Sequence, residues 1–87
     1  MRRDEVIKRL RELRGMKAKR DVLDSMIEST EAAMEMLTEE EREIIDKMFV
    51  NPELHAADRL CEMLLIEIST VYYRRNMALK KLEKYME

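Results

Sequence analysis

The chain has 87 residues, of which 41% are charged and 46% hydrophobic, with one glycine and one proline; a β-fold of this length would need more turn residues, and the composition predicts an all-α protein. Cys61 is the only cysteine, which excludes an intramolecular disulfide, and no apolar run is long enough for a signal peptide or a membrane span, so a soluble cytoplasmic protein with no membrane partner is expected. The net charge of -2 is no global footprint for nucleic acid, yet it conceals blocks of +6 over residues 1–20, -5 over 21–37, -6 over 38–67 and +3 over 68–87, so positive charge sits at both ends.

The first element in chain order is read from Val6, Leu10, Leu13, Met16, Leu23, Ile27, Met34 and Leu37, which recur at helical steps of three, four or seven, with Met26 and Ala33 widening the stripe. No proline interrupts residues 3–36, and one long helix is the preferred reading. Such a helix spans about 50 Å at 1.5 Å per residue, twice the roughly 25 Å width of a folded domain of about 50 residues. A helix that overhangs its domain leaves its stripe to a second chain. Residues 1–36 are therefore expected to dimerise, with Leu10, Leu13, Leu23 and Ile27 in the seam of a homodimer. The spacing 10, 13, 16 shifts the heptad frame beside Gly15, and a kink or a helical hairpin there is the alternative. The bases Arg2, Arg3, Lys8, Arg9, Arg11, Arg14, Lys17, Lys19 and Arg20 fit either phosphate contacts or the solvated flank of a coiled coil.

The next boundary carries a capping signature. Thr38 precedes Glu39-Glu40-Glu41, so Thr38 is the N-cap, Glu41 its capping-box partner, and acids cover the first turn. Ile44, Ile45, Met48 and Phe49 supply the buried face of this helix, and Asn51-Pro52 ends it. A turn runs to about His55. From Ala56 to Leu65, residues Ala57, Leu60, Cys61 and Leu64 form one apolar face. A last helix runs from about Ile68 to Tyr85, with Val71, Ala78, Leu79, Leu82 and Met86 as its core positions.

Two short helices behind a third are the parts of a trihelical helix-turn-helix domain, here residues 37–87. The run Leu37-Thr38-Glu39-Glu40-Glu41-Arg42-Glu43-Ile44-Ile45 resembles the start of region 4 of the sigma-70 family. Leu60-Cys61, Leu64, Ile66, Ser69-Thr70-Val71-Tyr72 and Ala78-Leu79-Lys80-Lys81-Leu82 are similar to that family's later motifs, with Cys61 as a small buried hydrophobe at the helix crossing. A long basic helix before such a domain is also the layout of phage-encoded transcriptional regulators of the ArpU and RinA type. The resemblance implies a sequence-specific DNA-binding transcriptional regulator of phage or prophage origin that acts on double-stranded DNA, beside RNA polymerase.

If the last helix enters the major groove, the residues on its side away from Val71, Ala78 and Leu82 face the bases: Ser69, Tyr72, Tyr73 and Asn76. Arg59, Arg75, Lys80 and Lys81 are the phosphate candidates. Leu65 stands where the family has a turn glycine, and Glu67 where it has a capping Ser or Thr. A standard turn would force a positive φ on Leu65, so a rearranged turn or a longer preceding helix is expected. Arg74 replaces a core aliphatic, its stem packing while its head reaches solvent. The alternative function is an adaptor that docks on RNA polymerase or another regulator without reading DNA, favoured by the acidic middle segment and Glu67.

No enzyme is expected, because no base, nucleophile or glycine-rich loop accompanies the Glu39 to Glu41 run. His55 reads as a turn residue, and with Cys61 as its only soft companion it lacks the ligands of a zinc site. No metal, cofactor or small-molecule substrate is expected.

Overall fold

The structure is a computed structural model that describes residues 1–86, and for residues 20–23 the backbone alone. Its elements are all helical: α1 (Arg3–Ala18), α2 (Arg20–Glu35), α3 (Glu39–Ile45) continued by a π-helical turn (Asp46–Val50), α4 (Ala56–Leu64) and α5 (Ile68–Tyr85). The principal extents are 40 × 25 × 21 Å, so no 50 Å helix projects from the body.

The expected single helix over 3–36 is a hairpin instead. Helix α1 runs straight through Gly15 and ends at Lys19, whose φ of -116° and ψ of 45° leave the helical region while its N–H donates to the Met16 carbonyl. The break falls in Lys17-Ala18-Lys19-Arg20, the polar gap between the apolar positions Met16 and Leu23. Folding back brings Ile27 and Ala33 of α2 into one core with Val6, Leu10, Leu13 and Met16 of α1. Burying a stripe is favourable whichever surface covers it, and the chain's own second half does so here. Thr30, fully buried among these residues, donates its hydroxyl to the Met26 carbonyl at 2.7 Å and so leaves no orphaned polar group.

The start of α3 follows its local sequence. Thr38 Oγ1 accepts from the Glu41 N–H at 3.2 Å, and the Thr38 N–H donates to Glu41 Oε1 at 2.9 Å, closing the capping box. At its other end the helix widens. Asn51 donates its N–H to the Asp46 carbonyl and its Nδ2 to Asp46 Oδ1, both at 2.8 Å, which stretches the last turn to π spacing just before Pro52. That turn seats both Phe49 and Val50 in the core.

The main core unites α1, α2, the π turn and the C-terminal half of α5, through Leu79, Leu82 and Met86. It crosses the expected boundary between residues 36 and 37. A smaller cluster of Ile44, Leu60 and Val71, flanked by Met48, Cys61, Leu64 and Ile66, joins α3, α4 and the N-terminal half of α5.

The connection from α4 to α5 keeps standard geometry with a non-standard residue. Leu65 adopts φ 56° and ψ 44°, the left-handed conformation that the sequence argued against. The N–H groups of Leu65 and Ile66 both donate to the Cys61 carbonyl, the second at 3.2 Å, and Cys61 and Ile66 both pack on the small core. The six-to-one bond from Ile66 is that of a Schellman ending and the five-to-one bond from Leu65 that of a simple left-handed cap, with Leu65 in the position usually held by glycine. Neither a rearranged turn nor a longer α4 is needed, because the six-to-one bond and the apolar contact hold the leucine in place.

Candidate nucleic-acid interface

Helix α5 buries Val71, Ala78, Leu79 and Leu82, and the opposite side follows from the 100° helical step. Ser69, Tyr73, Asn76 and Lys80 recur at steps of four, three and four along it, and all are exposed, Tyr73 to 64%. Tyr72 lies beside this stripe, 39% exposed. The four expected base-facing residues therefore share one open surface on the first three turns of α5.

Two of those side chains, Tyr72 and Asn76, are linked through Arg75. Its guanidinium lies 4.8 Å from the centroid of the Tyr72 ring, a cation–π contact that fixes its plane. Its Nε and Nη2 donate to Asn76 Oδ1 at 3.2 and 3.0 Å. Arg3 of α1 reaches the same turn, its Nη2 lying 3.5 Å from both the Asn76 carbonyl and Glu83 Oε2. The N-terminal amine of Met1 donates to the Glu83 carbonyl at 2.8 Å. The sequence offers Arg3 only as one of nine bases suited to phosphate contacts or a coiled-coil flank; packing of α1 on α5 brings it to this turn and joins the positive charge at both chain ends.

The phosphate candidates divide. Lys80 is exposed and pairs with no carboxylate among the described residues. Arg75 is half-buried and occupied as described. Arg59 is exposed but donates to Glu53 Oε1 at 2.8 Å, and Glu53 also accepts from Lys47 at 2.8 Å. Hydrogen bonds from Lys47 and then Arg59 hold the Glu53 carboxyl below its ordinary range, and those to Glu53 and then Glu43 push Lys47 above its own. Arg59 thus clasps the 51–55 turn to α4. Lys81 is likewise committed, 2.9 Å from Glu41, and ties α5 to α3. Arg74 is half-buried, and its guanidinium, expected to reach solvent, pairs with Glu40 of α3.

Three of the four expected dimer-seam residues lie inside the molecule. Leu10, Leu13 and Ile27 are 0%, 2% and 1% exposed in the single chain, so they cannot meet a partner without unfolding the hairpin. The side chain of Leu23 lies outside the described residues.

On the far side of α5, Glu39, Glu40 and Glu43 of α3 and Met63 and Leu64 of α4 line an open groove of about 620 Å³. Among the described residues no group of three or more His, Cys, Asp or Glu is placed to hold a metal ion, and no helix is long and apolar enough to cross a membrane. No protein-family model, curated protein or solved structure matches the chain, which leaves its resemblance to sigma region 4 resting on sequence motifs alone.

Proposed function

We propose that the chain is a sequence-specific DNA-binding transcriptional regulator in which α4 and α5 act as a helix-turn-helix and the N-terminal half of α5 enters the major groove. The observation that carries this reading is the uncovered stripe of Ser69, Tyr73, Asn76 and Lys80 on a helix anchored along its opposite side. A major groove about 12 Å wide admits an α-helix. A hydroxyl, a phenol and an amide on its first three turns supply hydrogen bonds and apolar contact to base edges, and Lys80 a phosphate contact one turn on. The tight left-handed turn at Leu65 supports it, because a recognition helix must be held at a set angle to the helix before it. The reading includes no dimer through residues 3–36.

Mobility shift against a randomised duplex pool tests it. Tyr73→Ala combined with Asn76→Ala should lower affinity at least about tenfold with an unchanged circular dichroism spectrum. Lys80→Ala should weaken binding to all sequences alike and flatten the dependence of log K on log salt by about one unit. Absence of any shift at low salt would end the proposal. The groove that Glu39, Glu40 and Glu43 line together with Met63 and Leu64 favours a second reading, an adaptor that docks on an RNA polymerase subunit. Capture of that subunit with no DNA shift would select it.

A further inference from the structure

Asparagine that reads DNA ordinarily does so with both ends of its amide, accepting from adenine N6 and donating to adenine N7. Asn76 does not have both ends free. Two donors of one guanidinium, Arg75 Nε and Nη2, converge on its Oδ1 at 3.2 and 3.0 Å. Because Arg carries only donors, the amide must turn its oxygen to Arg75 and its Nδ2 outward. The ring of Tyr72 at 4.8 Å holds the guanidinium plane in that position.

We infer, resting on the DNA-binding reading above, that Arg75 makes Asn76 a donor-only reader that selects guanine over adenine. The two purines share N7 as an acceptor and differ at the next position, where guanine offers the acceptor O6 and adenine the donor N6. With Oδ1 occupied, Nδ2 can donate to N7 or O6 of guanine, whereas adenine N6 finds no acceptor and meets an amide group and a nearby guanidinium that only donate. Arg75 is thus a specificity-determining residue that acts through Asn76, and Tyr72 positions Arg75.

The experiment selects duplexes with the intact chain and takes the base pair whose preference vanishes in Asn76→Ala as the Asn76 position. Duplexes with guanine, adenine or hypoxanthine there are then titrated against wild type and Arg75→Ala. The wild type should bind guanine about tenfold better than adenine and should treat hypoxanthine, which keeps N7 and O6, like guanine. In Arg75→Ala the freed Oδ1 can accept from N6, so the ratio should fall to about one or reverse, while ratios at other positions stay as they were. A wild-type preference for adenine, or a guanine preference that survives Arg75→Ala, overturns the inference while leaving DNA binding intact. Failure of the wild type to select any duplex overturns the DNA-binding reading and the inference with it.

Discussion

A leucine in the left-handed region costs about 1–2 kcal/mol because its Cβ crowds the following carbonyl, and Leu65 carries that cost while 88% exposed. Leu65→Gly should therefore raise stability by about 0.5–1 kcal/mol after the extra chain entropy of glycine is subtracted. The thermal midpoint should rise by about 3–6 °C, whereas Leu65→Ala, which keeps the Cβ, should leave it unchanged. Glu41 is the residue where charge bears on folding. It is 8% exposed; burial raises its pKa, but hydrogen bonds with Lys81 and Thr38 outweigh that and leave it below the ordinary 4.5. A carboxyl lowered in the native state stabilises the fold above its unfolded value, and that contribution disappears as pH falls through the native value. Glu41→Gln should be less stable than wild type near pH 7 and should lose less of its urea midpoint between about pH 5 and pH 3. The capping role of Glu41 was legible from Thr38 three residues before it. Its ion pair with Lys81, forty residues on, was not, because nothing local relates the two.

At the scale of elements, legibility follows the range of the forces that set each boundary. The start of α3 and its end at Asn51-Pro52 depend on groups within about five residues, and the expected limits match the observed ones. The periodicity of α5 placed all five of its expected core residues correctly, Val71, Ala78, Leu79, Leu82 and Met86 being 0–2% exposed. The break at Lys19 carries neither proline nor glycine, and its one trace in the sequence is the polar gap from Lys17 to Arg20. Gly15 looked like the weak point and is not one, since helix α1 passes through it and an added Cβ would meet nothing within 4 Å. Gly15→Ala should stabilise the protein by about 0.5–1 kcal/mol, read as a higher urea midpoint at unchanged slope. The candidate site was legible to the same degree: its exposed face followed from helical spacing, whereas the commitment of Arg59 to Glu53 and of Lys81 to Glu41 depended on neighbours in space.

At the scale of the molecule, the hairpin turns an expected dimer seam into the core of one chain. Leu10 is fully buried there, so Leu10→Ala should cost about 2–5 kcal/mol. Its lowered thermal midpoint should not depend on protein concentration, as it would for a residue at a subunit interface. The same packing sets α1 against α5 and places Arg3 beside Asn76, joining the two basic ends of a chain whose net charge is -2. By itself the sequence determined the helical class, the limits of α3 and α5, the start of α4 and the outward face of α5, because caps, proline and helical periodicity act over a few residues. Only the tertiary structure decided that residues 3–35 fold back on themselves, that Leu65 takes the left-handed turn, and that Arg75 occupies the amide oxygen of Asn76. The physical reason is that hydrophobic burial has no direction: an apolar stripe states that it must be covered, and only the packed chain states by what.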